Sequence, residues 1–262
     1  MQAFWPGPLT LVLPKNPLIP DLVTAGLPTV AIRMPDHPTA RRLIELTGCP
    51  IAAPSANRFG HPSPTTAQAV EEELGPAVDL ILDGGPTRVG IESTVLAFEK
   101  GRPLLLRPGG VPLEALTEVA GEAIVRGSVS SFPLSPGMLA RHYAPKTPLY
   151  LLEEASLRPL AVTGGCRHGM EKVGLICLAP LAKATGFAHV AILSQTGDLV
   201  EAASQFFQTL RTLDALGLDA IVAAPIPQRG LGLALMDRLQ RASSGRALVV
   251  EGQLQLIGRE GA

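Results

Sequence analysis

The sequence between residues 29 and 53 reads TVAIRMPDHPTARRLIELTGCPIAA and holds three element patterns in succession. It opens on the β-branched run Thr29–Arg33, which predicts a short strand. Apolar residues recur at helical spacing within Asp36–Thr47 and Gly48 is a stop signal, so a helix is expected there. Ile51–Ala53 follows as a second, buried strand. Strand–helix–strand succession of this kind is typical of an α/β protein.

The alternation continues along the first half of the chain. A capping-box pattern at Thr65 predicts a helix that ends near Leu74. Three further strands are expected, at Leu80–Leu82, Thr94–Phe98 and Leu104–Leu106.

A second alternating series follows a break in the pattern. Residues 127–148 show neither helical nor strand periodicity and are rich in Ser, Pro and Gly, which predicts an interdomain linker. Beyond it, apolar residues from Leu199 to Leu213 line one face of a long helix. Strands are expected at Leu149–Leu152, Val173–Cys177, Val190–Leu193, Ala220–Ala224 and Leu248–Val250. The predicted organisation is a domain over 1–126, the linker 127–148, and a parallel α/β domain over 149–262.

Composition narrows the class of protein. With 262 residues, 46% of them hydrophobic, the chain has material for two ordinary domains. No apolar run has membrane-spanning length, and three cysteines without a close pair argue against a disulfide or zinc framework. A cytoplasmic protein is therefore expected. The net charge of -1 gives no overall basic field for nucleic acid.

Polar residues gather at the predicted strand ends, where α/β proteins usually build their sites. They are Arg33, Ser55, Asn57, Ser63, Ser93 and Arg107. Arginine forks and hydroxyl groups suit phosphate or carboxylate oxygens, so the cluster indicates a phosphate-bearing ligand. Each residue taken singly is better explained as a turn residue or a helix cap than as a ligand contact. The prediction therefore depends on the whole cluster.

Familiar nucleotide and catalytic signatures are absent from the sequence. It has no Gly-x4-Gly-Lys-Ser/Thr loop, no Gly-x-Gly-x-x-Gly after a strand and no Gly-x-Ser-x-Gly elbow. Gly164-Gly165 is interpreted as a turn rather than a phosphate loop. Cys166-Arg167-His168 offers half a metal site without a second half, and loop polarity accounts for His37 and His61.

Six short motifs of the first half resemble, in order and spacing, those of the Sua5/YrdC family of threonylcarbamoyl-AMP synthases. They are Phe4–Thr10, Thr29–Pro35, Ala53–Asn57, Ile81–Pro86, Gly90–Val95 and Leu106–Gly109. Ser135–Met138 with His142–Pro145 looks like the segment that joins the catalytic domain to the extra domain of the long, Sua5-type members. Gly230–Ala234 and Arg238-Leu239 are similar to the closing helix of that domain.

The resemblance covers nearly the whole chain and implies its fold. It predicts a YrdC-like twisted, open mixed sheet with helices, followed by a smaller Rossmann-like parallel α/β domain. Family members carry a further stretch before the Trp-Pro-Gly-Pro motif, with a Lys-x-Arg pair that contacts substrate and nucleotide. Since Met1 stands just ahead of that motif, the chain is expected to lack the N-terminal part of the catalytic domain.

The activity implied by the resemblance is L-threonylcarbamoyladenylate synthesis, a nucleotidyl transfer. L-Threonine, bicarbonate and ATP, the last with Mg²⁺, would give threonylcarbamoyl-AMP and pyrophosphate. The product would pass to the machinery that transfers the threonylcarbamoyl group to tRNA. No residue is expected to act as a covalent nucleophile, so the enzyme would work by positioning and charge stabilisation.

Site residues follow from the resemblance by position. The L-threonine site would comprise Arg33, Ala53 and Ser93, with Arg33 gripping the carboxylate. The ATP site would comprise Thr29, Ser55, Asn57, Ser63, Arg107 and Tyr143, with Tyr143 on the linker acting as part of a lid. Two alternatives stay open: a double-stranded RNA or tRNA-binding protein with weak affinity, and a catalytically inactive truncated form.

Overall fold

The structure, a computed structural model, describes residues 1–121, 124–126, 142–157, 162, 166, 170–181 and 184–259. Most of the predicted linker, with Ser135–Met138, lies outside the described residues. So do Gly164-Gly165, Arg167 and His168. Within the described ranges, no helix is both long and apolar enough to cross a membrane.

Strands and helices alternate along the described chain, as expected of an α/β protein. The strands are β1 Leu9–Pro14, β2 Thr29–Ile32, β3 Thr94–Glu99, β4 Arg102–Arg107, β5 Val125–Arg126, β6 Leu149–Leu152, β7 Val173–Cys177, β8 His189–Ile192, β9 Ala220–Ala223, β10 Gly245–Val250 and β11 Gln253–Gly258. The helices are α1 Asp21–Thr24, α2 Pro38–Thr47, α3 Ala67–Leu74, α4 Leu113–Ala120, α5 Leu199–Asp214 and α6 Gly232–Ala242.

Two predicted strands are wrong. Ile51–Ala53 and Leu80–Leu82 form no strand, and most of their residues are exposed. A run of three apolar residues does not by itself specify a strand, because a strand also needs a neighbour to complete its backbone hydrogen bonds. The remaining predicted strands and the helices beginning near Pro38, Thr66 and Leu199 are confirmed within one to three residues.

The described chain folds as two compact units. The first comprises Met1–Ser55 and the chain from Glu92 to residue 126; the second comprises Ala56–Ile91 and the described residues from 142 onward. Residues 56–91 thus pack within the second unit, whereas the sequence pattern predicts a first domain that includes them. The boundaries at 126 and 149 stay predictions.

The first unit is built on a five-stranded mixed sheet with the order β2-β1-β3-β4-β5. β2–β1 and β3–β4 are antiparallel, whereas β1–β3 and β4–β5 are parallel. Val95, Ala97, Leu104 and Leu106 form its buried core. Thr94 at the start of β3 connects the sheet to the loop after β4, since its Oγ1 donates to the Val111 carbonyl (2.7 Å) and accepts from the Val111 amide (2.9 Å). The mixed sheet predicted for this half is confirmed.

The second unit is built on a six-stranded sheet with the order β11-β10-β6-β9-β7-β8. All neighbours are parallel except the β10–β11 pair. Successive residues of β9 point to opposite faces, so Ile221 and Ala223 join one apolar cluster and Val222 the other. The first cluster buries α5 and α6 through residues such as Phe206 and Leu235. The parallel α/β fold predicted for the second half is confirmed.

Candidate functional site

The centre of the candidate site in the first unit is a contact between Arg107 and Ser93. Both residues are nearly buried, with 8% and 7% of their surfaces exposed. The guanidinium donates to the Ser93 carbonyl from Nε (3.2 Å) and Nη2 (3.0 Å), and Nη2 also lies 3.3 Å from Ser93 Oγ. A fixed cation beside a hydroxyl is a suitable arrangement for binding an oxyanion.

The strand register brings these two residues to one end of the sheet, together with Arg33. Arg107 ends β4 and pairs with Val95, just past the start of β3, so it lies beside Ser93. β1 pairs through Leu9 with Thr94 and through Leu11 with Ile32, the residue before Arg33. The ends of β2 and β4 and the start of β3 therefore lie at the same end of the sheet, with β1 and β3 between β2 and β4.

Thr10 on β1 is a site residue that sequence reasoning missed. Its Oγ1 lies 2.7 Å from Ser93 Oγ, so the two hydroxyl groups share a hydrogen bond at this edge of the sheet. A signal was present, because Thr10 closes the first of the family motifs. Its role depends on the parallel pairing of β1 with β3, which the sequence does not reveal.

Arg33 has one charged neighbour within its own unit that bears on its role. The residue as a whole is exposed, but burial of the guanidinium lowers the pKa of Arg33, and the nearby carboxylate of Asp36 opposes that shift. A substrate clamp and a purely structural arginine are both consistent with this position, so mutation has to distinguish them.

Three other predicted residues of the first unit do not join this cluster. Thr29 begins β2 and pairs with Pro14, about 13 Å along the strand from Arg33. Ala53 and Ser55 are exposed and lie in an irregular segment. Their assignments to the substrate sites stay predictions.

Gly109 is where the loop after β4 crosses the backbone beside Ser93. A Cβ at this position would lie 2.3 Å from the Ser93 carbonyl carbon and 2.4 Å from the Thr94 nitrogen. The Gly110 amide also donates to the Glu92 carbonyl at 2.9 Å. Only glycine fits against a backbone at this distance.

Gly109→Ala is therefore expected to lower the free energy of unfolding by roughly 1–3 kcal/mol, because backbone has to move to admit the methyl group. Urea denaturation measures the change. Gly258→Ala is the matched control, since a Cβ at Gly258 meets open space. Equal stabilities of the two variants would contradict the close approach.

The second unit holds Asn57 and Ser63 on one loop, defined here as the 56–63 loop. Asn57 Nδ2 donates to the carbonyls of Arg58 (2.7 Å) and His61 (3.2 Å). Asn57 Oδ1 is buried and accepts no hydrogen bond from any described residue. Ser63 is 8% exposed. His61, interpreted from the sequence as an ordinary loop residue, contacts Glu73 through Nδ1 at 2.7 Å.

Tyr143 lies within the apolar core of the second unit. Its backbone has a φ of 64°, and only 1% of its surface is exposed. The ring lies 4.1 Å from His142 and 5.5 Å from Phe207, centroid to centroid, and the Arg238 guanidinium sits 5.5 Å from its centroid. Contact with a nucleotide would require Tyr143 to leave this position, so its lid role stays a prediction.

The described chain is thus an α/β protein of two units, the first of which carries an arginine–hydroxyl cluster at one end of its sheet. Residues 1–109 match the Sua5/YciO/YrdC family model, described as "Telomere recombination". Residues 111–244 match the model for the C-terminal domain of threonylcarbamoyl-AMP synthase. The chain belongs to the Sua5/YrdC family, as its motifs predicted.

Similarity to individual relatives extends over most of the chain. Threonylcarbamoyl-AMP synthases of Pyrococcus abyssi and Bacillus subtilis are both 42% identical to it over 95% of its length. The chain covers 74% and 73% of those relatives, respectively. The crystal structure of P. abyssi Sua5 complexed with L-threonine matches 98% of this chain and 74% of that one, at 39% identity and a TM-score of 0.79.

These matches leave one expectation unsupported. The expected loss of the N-terminal part of the catalytic domain is not borne out by them. They also do not favour the alternative of an RNA-binding or inactive protein.

Proposed function

We propose that this chain is an L-threonylcarbamoyladenylate synthase that uses L-threonine, bicarbonate and ATP. The observation that carries the proposal is the contact between Arg107 and Ser93, at the end of the first sheet where β2 also ends next to Arg33. Relatives with 42% identity bear the synthase name, and the similar P. abyssi structure contains L-threonine.

In the proposed reaction the amine of L-threonine attacks bicarbonate, and water leaves as the carbamate forms. A carbamate oxygen then attacks the α-phosphorus of ATP, and the bond from that phosphorus to the β-phosphate bridging oxygen breaks. The products are threonylcarbamoyl-AMP and pyrophosphate. No step needs a covalent bond to the enzyme.

The chain's own residues would supply orientation and charge. Arg33 would hold the threonine carboxylate in two parallel hydrogen bonds, a geometry that suits the guanidinium fork. Arg107, held by the Ser93 carbonyl, would present fixed positive charge to the phosphates without reorganising during the reaction. Thr10 and Ser93 would add hydroxyl groups beside it.

Magnesium is proposed to enter with ATP as part of the substrate. Among the residues that the structure describes, no group of three or more His, Cys, Asp or Glu side chains is placed to hold a metal ion. Mg²⁺ commonly keeps several waters and binds substrate phosphates, so MgATP needs no all-protein cage. We also propose that the product feeds a reaction that transfers its threonylcarbamoyl group to tRNA.

Pyrophosphate release tests the proposed function. The purified chain with MgATP is expected to release pyrophosphate only when both L-threonine and bicarbonate are present. Omitting either substrate is the control, and mass spectrometry should detect threonylcarbamoyl-AMP. Release that is independent of threonine would indicate ATP hydrolysis and reject the proposal.

A further inference from the structure

Glu73 links the 56–63 loop to the core of the second unit. One carboxylate oxygen, Oε1, accepts from the Arg58 amide (3.2 Å) and lies 2.7 Å from His61 Nδ1. Arg58 Nε also donates to the Glu73 carbonyl at 3.3 Å. A residue near the end of α3 therefore holds two positions of the loop.

The other carboxylate oxygen is held from α5. Arg211 Nη1 donates to Glu73 Oε2 at 3.0 Å, and Nη2 lies 3.4 Å from the Ala69 carbonyl of α3. The side chains of Arg211 and Glu73 are only 16% and 10% exposed, so water screens the pair weakly. Arg211 shares the last turns of α5 with the fully buried Leu210 and Leu213, which fixes its backbone.

The Glu73 carboxylate is kept ionised in this setting. Burial by itself raises the pKa of Glu73, but hydrogen bonds from Arg211, the Arg58 backbone and His61 together lower that pKa below its ordinary value. At neutral pH Glu73 is therefore a fixed anion that can hold all three donors.

A chain of contacts connects Glu73 to Asn57, which is predicted to bind the nucleotide. His61, held by Glu73, uses its carbonyl to accept from Asn57 Nδ2 at 3.2 Å. That bond orients the Asn57 amide, whose Oδ1 is buried and has no donor among the described residues. The Gly60 carbonyl is held separately by the Ala144 amide at 2.8 Å.

We propose that Glu73, fixed by Arg211, is a positioning residue that orients Asn57 for ATP binding. The proposal rests on the proposed function and on the assignment of Asn57 to the nucleotide. Within the second unit, α5 would thus anchor the carboxylate that shapes the 56–63 loop.

Steady-state kinetics of two variants test the proposal. Glu73→Gln keeps the shape of the side chain and removes the charge, and His61→Ala removes the loop side of the contact while leaving the Glu73–Arg211 pair intact. Both are expected to raise the KM for ATP about tenfold, the loss expected for a hydrogen bond to a charged group, with less than a twofold change for L-threonine.

Glu72→Gln is the matched control. Glu72 neighbours Glu73 on α3 and lies 3.8 Å from Arg211, but its side chain is 58% exposed and hydrogen-bonds to Gln68. Glu72→Gln should leave the KM values for ATP and for L-threonine unchanged. Thermal unfolding of all variants is measured alongside, and His61→Ala should lower the Tm by no more than a few degrees, because Arg211 and the Arg58 amide still hold Glu73.

The possible results distinguish a positioning role of Glu73 from a purely structural role. An unchanged KM for ATP in His61→Ala, or equal increases for ATP and L-threonine in both variants, would overturn the proposal. If the wild type makes no threonylcarbamoyl-AMP, the proposed function fails, and calorimetry with a non-hydrolysable ATP analogue then decides the present proposal. About tenfold weaker binding to His61→Ala would support it, and equal binding would reject it.

Discussion

Arg33→Lys is expected to weaken L-threonine binding by about 1.5–3 kcal/mol, the range for hydrogen bonds to charged groups. Lysine keeps the positive charge at the end of β2 but cannot offer two parallel donors to a planar carboxylate. ATP binding should change much less, because Arg107 is the arginine assigned to the phosphates. Calorimetric titration with each ligand separately measures both effects.

Two further variants accompany Arg33→Lys, one as a control and one as a test of the structural alternative. Arg42→Lys is the matched control, because Arg42 makes a surface ion pair with Glu45 at 3.4 Å and such pairs contribute little. Asp36→Asn tests the structural alternative, since Asp36 acts electrostatically on Arg33. If Arg33 has a purely structural role as the partner of Asp36, Arg33→Lys will leave the affinity for L-threonine unchanged. Equal losses for threonine and ATP would also reject the clamp.

The fold was predictable where a pattern was long or its pairing simple. The helix within Leu199–Asp214 repeats its apolar spacing over four turns, and the parallel sheet of the second unit follows from alternating strand and helix patterns. The mixed sheet of the first unit was implied by the family resemblance. Ile51–Ala53 and Leu80–Leu82 failed because three apolar residues carry no periodicity. Whether they pair depends on which strands lie beside them.

The part of the candidate site that stands in local sequence motifs was predictable, and the part that depends on contacts between distant segments was not. Arg33, Ser93 and Arg107 stand in recognisable motifs at strand ends, and the register places all three at the same end of the sheet. Thr10 acquires its role only from the pairing of β1 with β3. The Glu73–Arg211 contact joins residues 138 positions apart, and no local pattern connects them.

Asp237→Asn is expected to destabilise the second unit by roughly 3–5 kcal/mol, the cost of breaking a buried ion pair from one side. The Asp237 carboxylate on α6 lies 3.3 Å from Arg238 Nη1 and accepts from Arg241 at 3.1 and 3.2 Å. Arg238 has no exposed side-chain surface, and the Asp237 side chain is only 7% exposed. Asparagine matches the shape of aspartate, so lost charge rather than lost volume dominates the effect.

Urea denaturation and hydrogen exchange at the amides of α5 and α6 measure this change together. Glu45→Gln is the control, since it removes a carboxylate from an exposed pair and should cost no more than about 1 kcal/mol. Arg238 also lies over the Tyr143 ring, and the Arg241 carbonyl accepts from the His142 amide at 3.2 Å. Faster exchange should therefore extend from α6 to His142 and Tyr143. A loss of stability no larger than that of Glu45→Gln would show that Asp237 is not the carboxylate on which the two arginines depend.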